Sequence, residues 1–82
     1  MKIPKMMVLV ETNAVRETEA VCSADGWIVW IAYRHRDSER CEMLERQRGG
    51  VRTFATLDAV ARCLNEVGLS GFRVRFPDTE AP

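Results

Sequence analysis

No part of the chain constrains its fold more than residues 47–76, QRGGVRTFATLDAVARCLNEVGLSGFRVRF. The segment reads as turn, strand, helix, strand. Gly49 and Gly50 supply the backbone freedom of a tight turn and close a hairpin onto residues 51–54. Thr56 is an N-cap type, and Asp58 places negative charge against the positive end of the helix dipole. Leu57, Val60, Ala61, Leu64 and Val67 then recur at helical spacing, which predicts one amphipathic helix over 57–67. Gly68 stands where a helix ends on a left-handed residue. Residues 72–76 alternate, with Phe72, Val74 and Phe76 on one face and Arg73 and Arg75 on the other. They predict a last strand, stopped by Pro77.

Upstream, residues 27–34, WIVWIAYR, are dense in aromatic and β-branched side chains and predict the clearest strand. Alternation sets Trp27, Val29, Ile31 and Tyr33 on one face and Ile28, Trp30 and Ala32 on the other. Both faces are apolar, so this strand is expected at the centre of a sheet and covered on two sides. Asp25-Gly26 marks a hairpin back to a strand over 19–23. Residues 35–40, HRDSER, read as a charged loop, and 41–48 as the next strand. The N-terminal run 6–12 is short and apolar, with Pro4 discouraging regular structure ahead of it. It reads as a buried strand, and 13–18 as a polar connection.

The expected architecture is therefore α+β. A mainly antiparallel sheet of four to five strands carries one helix on one face, in the order β-β-β-β-α-β. It forms a single domain over 1–82, with 77–82 as a loose acidic tail. One helix covers one face. The apolar residues of 27–34 that point the other way need a second cover, from the N-terminal segment or from a second copy of the chain.

Composition narrows the function classes. A chain of 82 residues is near the lower end of what folds on one core. Its formal net charge is zero, so no whole-molecule field draws it to nucleic acid or an anionic membrane. Lys2 and Lys5 are the only lysines, so ten of the twelve cations are arginine. Arginine suits planar, bidentate contacts with carboxylate or phosphate. Cys22, Cys41 and Cys63 are odd in number and widely spaced, and His35 is the single histidine. That pattern fits reduced thiols, and neither a zinc site nor a disulfide framework. The N-terminal apolar run is broken by Glu11 too early for a signal sequence, and no run approaches a membrane span. A cytoplasmic protein without metal or cofactor is expected.

No catalytic residue is assigned. His35 lies among Arg34, Arg36, Asp37 and Ser38, too close in sequence for a triad to converge. Cys41, beside Arg40, is the only thiol in a plausible thiolate environment, and Cys22 and Cys63 read as small core or core-edge residues. Glu39, Glu42 and Glu45 alternate with Arg40, Arg46 and Arg48 as on a solvated sheet face. The arginines are the more informative group. Arg46, Arg48 and Arg52 surround the Gly49-Gly50 turn, and Arg73 and Arg75 share a strand face. If those strands are neighbours, the five form a patch for phosphates or an acidic partner. Trp27 and Trp30 are the candidates for self-association.

Residues 48–74, RGGVRTF-x-TLDAVARCLNEVGLSGFRV, resemble small proteins encoded on plasmids and integrative elements, in particular the ParC-type partition-associated proteins. The resemblance rests on the Arg-Gly turn, Arg52 and Phe54, the helix start Thr56-Leu57-Asp58-Ala59, and the ending Gly68-Leu69…Phe72-x-Val74. It covers about a third of the chain. It implies an accessory role in maintenance or partition of a mobile element, with no catalytic residues to carry over. The functional expectation is a non-enzymatic module acting through a homodimer or a protein partner. The alternative is nucleic-acid binding through the arginines.

Overall fold

The N-terminal run expected as a strand is a helix. In a computed structural model that describes residues 1–76, the elements run α1 (Ile3–Glu11), β1 (Val15–Ser23), β2 (Gly26–His35), β3 (Ser38–Met43), α2 (Leu57–Glu66) and β4 (Arg73–Arg75). Pro4 lies in the first turn of α1. There its missing N–H costs no intrahelical bond and its fixed φ suits the helix, so it starts the element instead of breaking it. The order is thus α-β-β-β-α-β, with two helices where one was expected. Pro77 and the expected tail 77–82 lie outside the described residues.

The sheet has four strands in the order β3-β2-β1-β4. The β1–β2 and β2–β3 pairs are antiparallel, whereas β4 runs parallel to β1, so the sheet is mixed. β1 begins well before the expected strand and carries an irregularity between Val15 and Glu17. β3 starts at Ser38 inside the segment read as a loop, because the reversal takes only Arg36 and Asp37. Arg36 pays for that tightness with a φ of 56°, a left-handed angle uncommon for its type.

Beyond Met43 the chain leaves β3, and the 49–50 turn brings Phe54 back beside Trp27. The two exchange backbone hydrogen bonds of 2.8 Å each. This approach dictates Gly26: its φ is +128°, and a Cβ there would sit 2.6 Å from the Phe54 carbonyl oxygen. Residues 51–54 therefore extend the sheet through isolated bridges, Glu45 to Val51 and Trp27 to Phe54, and are not a full strand.

Both helices pack on the same side of the sheet. Met6 of α1 and Val60 and Leu64 of α2 are buried with Ala20, Val29, Ile31 and Tyr33. Leu44 and Phe54 complete this core. α2 starts as expected, with the Ala59 N–H donating to Thr56 Oγ1 at 3.1 Å. Its inner face centres on Val60 and Leu64, with Leu57, Cys63 and Val67 beside them, while Ala61 of the expected stripe is exposed.

Candidate functional site

The alternation of β2 sends Ile28, Trp30 and Ala32 to the side opposite the helices. Register then assembles a surface around them. Ala32 is flanked by Glu17 and Cys41, Trp30 by Glu19 and Met43, and Ile28 by Val21. Arg73 and Arg75 of β4 extend it at the β1 edge. Among the described residues no helix lies over this face. A shallow depression of about 200 Å³ opens on it, lined by Glu17, Glu19, Trp30, Ala32, Cys41 and Arg75. The result is an apolar strip around an indole, bordered by charge.

That border is internally paired. Arg73 Nη1 lies 2.9 Å from Glu17 Oε1, and Arg75 Nη2 lies 2.8 Å from Glu19 Oε1. The parallel register of β4 on β1 makes these diagonal pairs, which supply an edge strand of three residues with side-chain anchors.

The five arginines do not gather. β1 and β2 stand between β4 and the 46–52 loop. Arg46 folds over its own turn, its Nε–H donating to the Gly49 carbonyl at 3.3 Å. The Arg52 guanidinium stacks 4.7 Å from the centre of the Phe54 ring, on the helix-bearing side. Arg48 is exposed in the loop. The two tryptophans are likewise separated by the sheet. Trp27 packs against the core and meets the Phe76 ring edge-on at 6.4 Å, whereas Trp30 lies on the bare face. His35 is exposed at the end of β2 and Cys41 on the bare face, while Cys22 and Cys63 are half-buried. Burial pushes the Cys63 thiol up, against the pull of the Arg52 charge. No group of three or more His, Cys, Asp or Glu side chains suited to a metal occurs among the described residues.

One polar cluster was not anticipated. Tyr33 is buried on the core face, and its phenol needs a partner there. It donates to Glu42 Oε2, which also accepts from Lys5 Nζ at 2.9 Å. Lys5 Nζ reaches the Tyr33 oxygen as well, at 3.1 Å. The Tyr33 hydrogen bond and then the Lys5 one hold the Glu42 carboxyl at about 2, and the bonds from Lys5 to Glu42 and then to Tyr33 raise Lys5. The Met1 amine donates to the Met43 carbonyl at 2.7 Å and to Glu45 Oε2 at 2.5 Å. Glu45 N–H in turn donates to the Met1 carbonyl at 2.7 Å. Together these bonds pin α1 to the β3 edge. The one sequence signal was Tyr33 itself, a phenol on an apolar face.

Comparison with protein-family models, curated proteins and solved structures finds no match for this chain. Fold and surface define the class, a small α+β domain with both helices on one face of its sheet and an apolar second face. No helix among the described residues is long and apolar enough to cross a membrane.

Proposed function

We propose that the protein is a non-enzymatic interaction module that self-associates by packing its bare sheet face against that of a second copy. The observation that carries this reading is the apolar strip around Trp30, on the side of the sheet away from both helices. A sheet buries both faces when a second layer is available, and two such faces in contact form an aligned sandwich.

The sheet edges favour face packing over strand addition. Natural edges are blunted by shortness, charge and covering residues. β4 has three residues, two of them arginines, and β3 carries Glu39 and Arg40 and is capped by Met1 at the Met43 carbonyl. The face itself is modest. Four strands at sheet spacing by about six residues give roughly 20 Å by 20 Å. That is about 400 Å², roughly half the ~800 Å² per partner of a standard interface, so a weak dimer is expected.

The arginine reading of nucleic-acid binding draws less support, because Arg73 and Arg75 are paired with Glu17 and Glu19. The resemblance of residues 48–74 to partition-associated proteins gives the module a setting, assembly of an accessory complex that maintains a mobile element.

Sedimentation equilibrium over a concentration series tests the proposal. The native chain should dimerise, and Trp30→Ser should be monomeric with an unchanged circular dichroism spectrum. A native chain that remains a monomer at high concentration overturns it. So does a dimer indifferent to Trp30→Ser. DNA retention with a steep salt dependence would move the function to the arginines.

A further inference from the structure

A second surface lies on the helix-bearing side, away from Trp30, and its chemistry differs. Between the start of α1, the 52–54 segment and α2 lies a cleft of about 410 Å³. Ile3, Phe54, Ala59 and Val67 give it apolar walls, and Arg52 and Arg62 stand at it. This is within the range of small-molecule pockets, which combine apolar walls with a few placed polar groups.

Two guanidinium groups share this cleft. Neither Arg52 nor Arg62 has an ion-pair partner among the described residues, whereas Arg73 and Arg75 on the other face each have one. Arg52 is also held in place. It is only half-exposed and stacks on the Phe54 ring, so little side-chain freedom remains to be lost on binding. It reaches far enough toward α2 for its charge to act on the Cys63 thiol at the cleft wall. One carboxylate, Glu66, also lines the cleft. It stands four residues after Arg62 yet forms no ion pair with it, leaving the positive groups in excess there.

We propose that this cleft binds a small organic anion with an apolar body, its carboxylate held by Arg52 and Arg62 and its hydrocarbon part against Ile3, Phe54 and Val67. Charge complementarity selects the head group, since a carboxylate matches the planar donors of arginine. The apolar walls select the body. The site is independent of self-association, because it uses the opposite face of the sheet.

The test compares naphthoate with naphthalenemethanol, which has the same aromatic body and no charge, by amide-resolved NMR titration of the full chain. Naphthoate should shift the amides of Arg52, Phe54, Ala59 and Cys63 saturably. The alcohol should bind about tenfold more weakly, as expected for loss of charge-assisted hydrogen bonds. Arg52→Gln and Arg62→Gln should each bring naphthoate affinity toward that of the alcohol. Arg62 is exposed on α2, so its variant separates loss of the anion contact from any disturbance of Phe54 stacking. Naphthoate should also slow maleimide labelling of Cys63. Equal affinity for acid and alcohol overturns the proposal. So does saturation centred on the Trp30 face, or none at millimolar naphthoate.

Discussion

The two faces of this sheet are built from the same strands and are covered differently. On one, Ala20, Val29, Ile31 and Tyr33 are sealed under two helices. On the other, Ile28, Trp30 and Ala32 alternate with Val29, Ile31 and Tyr33 along β2 yet have no helix over them. Apolar character alone does not decide which face becomes the core. What decides it is which side the chain's own helices reach. An apolar residue on the covered face is fixed by packing, and one on the bare face is left half-buried by its sheet neighbours alone.

Truncation on the two faces should separate them most strongly. Leu64→Ala removes a side chain that is 1% exposed under the sheet. It should cost about 3 kcal/mol by loss of burial and creation of a cavity. Trp30→Ser should cost less, about 1.5 kcal/mol, since the indole is half-buried but leaves no enclosed cavity. Urea unfolding of both variants at a concentration that keeps the native chain monomeric measures the contrast. Similar costs at the two sites would mean that Trp30 belongs to a packed core and would dissolve the distinction between the faces.

The faces were legible in sequence because β2 states them itself. Its period of two and its β-branched and aromatic content agree, and the observed burial follows the alternation. α2 was legible for the same reason of agreement among the Thr56 cap, the periodicity and Gly68. α1 was misread because a short apolar run carries no decisive period and Pro4 suits a helix start as well as a break. β1 was read too short because Glu17 looks like loop composition, and its ion pair with Arg73 appears only when β4 docks beside β1. β3 was hidden in HRDSER because an edge strand carries charge. Strand order was the deeper loss. Proximity of Arg73 and Arg75 to Arg46, Arg48 and Arg52 depended on which strands are neighbours, and no local pattern carries that information.

The polar cluster sharpens the comparison from the covered side. Glu42→Gln weakens the charged hydrogen bonds from Tyr33 within the sheet and from Lys5 of α1, and should cost about 1.5 kcal/mol, given its partial exposure. The pH dependence has a definite sign. The native carboxyl sits at about 2, below its ordinary 4.5, so its contribution is fully present above about 4.5 and is lost as pH falls toward 2. Acid unfolding of Glu42→Gln should therefore be shallower over that window than unfolding of the native chain. Parallel profiles would remove Glu42 from the docking of α1.

A smaller effect tests whether α2 owes its place to local as well as tertiary interactions. Thr56→Ala deletes the acceptor for the Ala59 N–H and should cost about 1 kcal/mol. Hydrogen exchange at the first turn of α2 should speed up, with the Trp30 face unchanged. An unaffected first turn would assign the helix start to core packing alone.

The smallest effect on stability falls on the bare face, and there it is paired with a large effect on association. Arg75 and Glu19 are 2.8 Å apart, but the arginine side chain is 66% exposed. Arg75→Gln should therefore change monomer stability by less than about 0.5 kcal/mol. In the proposed dimer the same change leaves Glu19 without its counterion beside Trp30 as water is excluded, and dimerisation should weaken about tenfold. Neutralising both partners, Glu19→Gln with Arg75→Gln, should restore much of that loss, because no unpaired charge is then buried. Sedimentation equilibrium on the two single variants and the double variant forms a cycle whose coupling is near zero if this face stays in solvent and large if it meets a second copy.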